Sequence, residues 1–321
     1  MSERLSARYV TFAEQEAKGH SPLYEELALG VAGDRKLLDL IDTLPRDRQQ
    51  PNLVFAAYRM VCGTPGSFPE FRQKFVRRAA DIVAVVMARR TQTNEPGRCA
   101  VLLPALALMH QPLALIEVGA SAGLCLIPDH YAYEYDGQRL GRPTASPVFP
   151  CRTSGDAPIP TVMPKVVWRA GLDIAPMSLH DPDHVAWLEA LIWPDQPERL
   201  ERFRAALATA RQQSIRIRTG DLRTDVEAML REAPTGPTKI VYHTAVLGYL
   251  GSMAERKALG DLVWDYSAVW ISNEAPHVLP QIAARAPRPG PPGAFLLSVN
   301  AAPVAWTDPH GAWIDWMWAT P

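Results

Sequence analysis

Leu113-Ala-Leu-Ile-Glu-Val-Gly-Ala-Ser-Ala-Gly123 is the stretch that decides the fold. Its opening residues form an apolar run of strand length, interrupted by one charge at Glu117, and Gly119 and Gly123 then break the run. This pattern predicts a buried strand that ends in a glycine-bearing turn and opens a helix. Such turns lie at the carboxyl edge of α/β sheets, where missing side chains let a ligand approach the backbone. A carboxylate in an apolar strand is costly unless paired, and a cationic ligand group would supply Glu117 with a partner.

Short β-rich runs continue downstream at 165–171, 214–219, 239–244, 267–272 and 294–299, with helical patterns between them. Alternating strands and helices predict an α/β fold with a Rossmann-like, doubly wound, mostly parallel sheet over residues 113–321. Asp181 followed by Pro182 is good helix-start chemistry. Residues 131–165 are rich in Pro, Gly and Tyr, lack a long periodic element and read as an insertion over the carboxyl edge. Trp306, Trp313, Trp316 and Trp318 fall in a terminal strand pair joined through Asp308-Pro-His-Gly311 and read as sheet-packing residues. Residues 1–112 carry helical patterns and almost no strand signal, so they read as a helical N-terminal cap. Within them Phe71, Phe75, Ala79, Ile82, Val83 and Val86 recur at three- and four-residue spacing, the stripe of one amphipathic helix.

Two enzyme classes use a turn of this form. Glu117, Gly119 and Gly123, with Ala120 and Ser121 between the glycines, resemble the acidic-x-Gly-x-x-x-Gly turn of class I S-adenosylmethionine-dependent methyltransferases. The same residues also spell Gly-x-Ser-x-Gly, the nucleophile elbow of α/β-hydrolases, with Ser121 as nucleophile. An elbow needs preceding strands, an oxyanion loop and a late acid and histidine. Only the last is on offer, through Asp265 or Asp308 with His277 or His310.

Further motifs resemble the methyltransferase class. The run Val166-Val-Trp-Arg-Ala-Gly-Leu-Asp173 is similar to its second strand, which implies that Asp173 holds the ribose hydroxyls of S-adenosylmethionine. If 131–165 is not an insertion, the ribose acid is instead Glu134 or Asp136. Gly220-Asp221 resembles the turn whose acid accepts from the adenine amino group, and His243, at the end of a fourth strand, stands where a base would serve. The whole chain, including 90–98 and 193–199, is also similar to a family of bacterial proteins of unknown function, a resemblance that implies no reaction.

The polar run before the sheet places Thr93, Asn94, Glu95 and Arg98 beside the glycine turn as substrate-binding candidates, with Arg98 suited to a carboxylate. Glu274, after a strand, belongs to the same edge. His180 and His184 flank a Pro-containing helix start and do not make a metal set. With 321 residues, 47% hydrophobic, 21% charged and a formal net charge of -1, the chain has no basic footprint for nucleic acid. It shows no signal peptide and no membrane-length apolar run, so a cytoplasmic protein is expected. Cys62, Cys99, Cys125 and Cys151 lack metal or disulfide spacing and read as buried thiols. The expected function is S-adenosylmethionine-dependent methyl transfer to a small-molecule acceptor. A serine hydrolase and a non-catalytic ligand-binding module are the alternatives, and the oligomeric state is not written in the chain.

Overall fold

A computed structural model describes residues 2–92 and 94–317 of the chain. These form two compact units, one of residues 1–93 with 180–201 and the other of 94–179 with 202–321. The division therefore falls before residue 94, and 180–201 joins the amino-terminal helices.

The first unit is helical: α1 (Ser2–Phe12), α2 (Pro22–Gly33), α3 (Arg35–Asp42), α4 (Pro51–Cys62), α5 (Phe68–Arg77) and α6 (Ala79–Ala88), joined by the later α8 (Pro182–Ala190). Ser21 accepts the Tyr24 N–H at the start of α2, and Asp181 accepts those of Asp183 and His184 at the start of α8. Phe55 anchors the core edge-on to Tyr9, Phe12, Tyr24 and Phe71. The single helix expected over 69–86 is two, because Arg78 leaves helical geometry at φ -112°, ψ 21°. Phe71, Phe75, Ile82 and Val86 of the expected stripe are nonetheless buried.

The second unit carries an eleven-stranded sheet among the described residues. Its strands are β1 (Leu113–Val118), β2 (Ala132–Tyr135), β3 (Gln138–Leu140), β4 (Val148–Ser154), β5 (Val166–Asp173), β6 (Ile217–Thr219), β7 (Thr238–Thr244), β8 (Val269–Glu274), β9 (Phe295–Val299), β10 (Ala302–Thr307) and β11 (Trp313–Trp316). They lie in the order β3-β2-β4-β11-β10-β9-β8-β7-β1-β5-β6. The sheet is mixed and mostly parallel: β6, β5, β1, β7 and β8 run together, while β9 and β10 run against their neighbours. Helix α7 (Cys99–Ala107) precedes the sheet, α10 (Val226–Glu232), α11 (Met253–Asp265) and the single turn α12 (Pro280–Ala283) lie between strands, and α9 (Pro197–Ala210) contributes residues to both units.

Side chains alternate across the strands. Ile116, Val118, Leu172, Val241 and Trp270 share a core with Leu230, Leu259 and Val263 of α10 and α11. Glu117 belongs to the opposite face, level with Gly171 of β5 and Tyr242 of β7.

Two expectations need correction. No helix follows the glycine turn; the chain makes only two short 3-10 turns, Leu124–Leu126 and Pro128–His130, because Pro128 has no N–H with which to extend a helix. Residues 131–165 are also not merely loop, since β2, β3 and β4 extend the sheet beyond β11. Their signal was Tyr131, Tyr133 and Tyr135 buried at alternate positions around exposed Glu134, followed by Asp136-Gly137. Both turn residues have positive φ, 49° and 85°, as a two-residue hairpin requires.

Candidate functional site

The glycine turn is held from three sides. Leu172 O accepts the N–H groups of Gly119 and Ala120 at 2.7 and 3.1 Å, tying the turn to β5. Asp173, the last residue of β5, accepts the Ser121 N–H on Oδ2 and the Ala175 N–H on Oδ1, both at 2.8 Å. Asn94 donates to Ala120 O at 3.2 Å and accepts from Leu124 N at 2.9 Å. The N–H groups of Gly119, Ala120, Ser121, Gly123 and Leu124 are thus all bonded within the protein. A phosphate cradle needs those donors free and a helix behind them, and this turn has neither.

Gly119 sits at φ 72°, and a Cβ built there would lie 2.4 Å from Val246 Cγ2. The space over this glycine is therefore occupied by a side chain of the loop after β7. Ser121 also has positive φ, 50°, in keeping with a tight turn. Gly171, two residues before Asp173, is required because a Cβ there would meet Ala120 Cβ at 2.6 Å. Its signal was a glycine inside a strand, which often marks close approach.

Glu117 is 4% exposed, and its Oε2 has no hydrogen-bond partner. Burial pushes its carboxyl well above the usual carboxylate range, with Cys125 and Asp173 adding to the effect and Arg98 opposing it. Arg98 is itself buried. It donates from Nε to Pro309 O at 2.8 Å and from Nη1 to Thr244 Oγ1 at 2.9 Å and Thr244 O at 3.2 Å. Every one of these acceptors is neutral. On the same face Asn273 accepts from Thr307 Oγ1 at 2.8 Å, while its Nδ2 has no partner. Asn94 thus reaches the turn, and Arg98 reaches the end of β7 and the turn between β10 and β11. Thr93 lies outside the described residues, as does Trp318.

His243 has a different part from the base read in the sequence. It is fully buried, with Nδ1 bonded to Glu274 Oε1 at 2.7 Å and Nε2 accepting the Trp270 Nε1–H at 2.9 Å. That arrangement fixes the Nδ1–H tautomer and leaves no ring lone pair for a substrate proton. Glu274 Oε1 also accepts from Val246 N at 2.8 Å and Leu247 N at 3.1 Å, so it holds the loop that covers Gly119.

Gly220 and Asp221 follow β6, but Asp221 is paired with Arg223 at 2.5 Å, which holds its carboxyl below the usual range. This takes it away from the adenine role. Glu134 and Asp136 lie toward the far end of the sheet, with six strands between β2 and β1, and there Asp136 caps Thr153 N at 3.1 Å. They are not neighbours of the turn, whereas Asp173 is. Asp181 is the helix cap between His180 and His184, and no metal-holding group of His, Cys, Asp and Glu occurs among the described residues. Cys99, Cys125 and Cys151 are buried and Cys62 is partly so; all four thiols are free. No helix among the described residues is long and apolar enough to cross a membrane.

No curated protein and no solved structure matches the chain. A family model does, over residues 6–316: the chain belongs to the family described as uncharacterized protein conserved in bacteria (DUF2332).

Proposed function

We propose that the second unit is a Rossmann-like, S-adenosylmethionine-dependent methyltransferase domain acting on a small molecule. The observation that carries this reading is Glu117: a buried carboxyl with an orphaned oxygen, at the end of the strand that enters the glycine turn. The strand order supports it. Taking β1, β5, β6, β7 and β8 as first to fifth, they lie 3-2-1-4-5, the doubly wound order, and the turn stands at its switch point between β1 and β7.

The residues fit the donor in part. Glu117 suits its cationic groups. Asp173, the last residue of β5, lies at the edge where ribose hydroxyls would need an acceptor. The committed N–H groups of the turn favour a ligand without phosphate over a dinucleotide. Asp221 does not take part, and Val246 must yield if a ligand is to approach Gly119 closely. When bound, the donor supplies an electrophilic methyl group. The chain's share is then to orient the acceptor and exclude water, with no histidine base. The hydrolase reading is weaker because no described strand precedes β1.

The test is calorimetric titration with S-adenosylhomocysteine in two buffers of different protonation enthalpy. A cationic ligand beside Glu117 favours its ionised form, so binding should release a proton, and Glu117→Gln should abolish the release. Absence of binding by the folded wild type at ligand concentrations far above micromolar counts against the donor site. Binding without turnover on any acceptor favours a non-catalytic module, and fluorophosphonate labelling lost in Ser121→Ala restores the hydrolase.

A further inference from the structure

On the face of the sheet opposite Glu117, a small, partly open recess lies at the ends of β8 and β9, lined by Ser272, Glu274, Ser298, Leu279, Ile282 and Leu296. We propose that this recess binds the ammonium head of a small primary amine. The inference goes beyond the donor reading and does not depend on it.

The chemistry starts at Glu274, which is 3% exposed. Its Oε1 takes three N–H donors, from His243, Val246 and Leu247, while no described contact engages Oε2. No Lys or Arg forms an ion pair with it among the described residues, and His243 reaches it through Nδ1 alone, since Nε2 accepts from Trp270. An acceptor-only carboxylate without a cation is an expensive thing to bury. Beside it, the Ser272 hydroxyl is 1% exposed and has no hydrogen-bond partner. Ser298 stands opposite Ser272 in the β8–β9 register and also lines the recess.

An ammonium group answers these demands together. It brings the missing positive charge and three N–H donors, one for Glu274 Oε2 and one for Ser272 Oγ. The recess has room for about one water-sized group, which admits –NH3+ and excludes trimethylammonium. Leu279, Ile282 and Leu296 make the rest of the lining apolar, and the alkyl stem would leave through the open side.

The test is calorimetry on the full-length protein at neutral pH with n-butylammonium, tetramethylammonium and 1-butanol. Saturable binding of n-butylammonium alone is expected, with Ser272→Ala weakening it roughly tenfold, the effect of one hydrogen bond to a charged group. Glu274→Gln should abolish it; because Glu274 also holds the 246–247 loop, the nearly isosteric Ser272→Ala keeps the test valid if that variant fails to fold. The proposal is overturned if n-butylammonium gives no saturable heat, if 1-butanol or tetramethylammonium binds as tightly, or if Ser272→Ala leaves the affinity unchanged.

Discussion

Asp173 Oδ2 accepts the backbone N–H of Ser121 at 2.8 Å, so the acid ending the second parallel strand of the sheet is a structural clamp on the turn that ends the first. The same carboxylate takes the Ala175 N–H. Removing it strands two N–H groups in a largely buried site, one of them on a residue at positive φ. Asp173→Ala is therefore expected to destabilise the protein by about 1–3 kcal/mol, read as a lower midpoint in urea denaturation with an unchanged slope. A variant as stable as the wild type would mean that the turn does not need its clamp.

Glu117 gives a pH prediction whose sign follows from its environment. Burial raises its folded-state pKa above the unfolded value, so the folded protein binds this proton more tightly. Its favourable contribution is complete below the ordinary carboxylate range and declines as pH rises through the raised pKa. Glu117→Gln copies the neutral form in shape, so the two proteins should differ little in stability near pH 4 and the variant should gain on the wild type toward pH 8. Urea midpoints measured across that range check the point, and parallel curves would contradict it.

What the sequence disclosed follows from the range of the forces involved. Strand β1, its glycine turn and the strands ending at Asp173 and Thr244 were legible because apolar runs and turn residues act locally. The missing helix after the turn was not, although Pro128 was in view, because the strand-turn-helix pattern was read from its glycines alone. The roles of His243 and Asp221 were out of reach for another reason. His243 is fixed by Glu274 and Trp270 on a neighbouring strand, and Asp221 by an arginine two residues on whose rotamer the sequence does not specify. Polar residues at strand ends mark an edge; which of them remain available is decided by partners from elsewhere in the chain.

Gly119 and Val246 should behave as a coupled pair. Gly119→Ala places a methyl group against Val246 Cγ2 at 2.4 Å on top of the strain of positive φ. Val246→Ala removes the clash but leaves the strain. The double variant is expected to be more stable than the sum of the single effects by about 0.5–2 kcal/mol, within the range for residues in contact. If Val246 also covers the donor site, Val246→Ala alone should bind S-adenosylhomocysteine at least as tightly as the wild type. Strict additivity of the two stability effects would show that the loop moves aside freely.

Arg98 joins two parts of the sheet unit that are far apart in sequence. Its Nε bonds the Pro309 carbonyl in the turn between β10 and β11, and its Nη1 bonds Thr244 at the end of β7. Truncation to alanine leaves the Thr244 and Pro309 acceptors without their donor and opens the space beneath residues 94–98. Arg98→Ala should therefore cost about 2–3 kcal/mol, beyond the effect of losing an exposed charge. Arg98→Lys retains the charge but not the planar fork, and it should recover only part of that loss, since one ammonium does not span both acceptors as the guanidinium does. The guanidinium has no carboxylate partner among the described residues, so an anionic group on a ligand would find its charge uncompensated. If it meets such a group, Arg98→Lys should weaken ligand binding less than Arg98→Gln at matched stability. Equal affinities in the two variants, measured by calorimetry under conditions where both remain folded, would leave Arg98 as a structural tie alone.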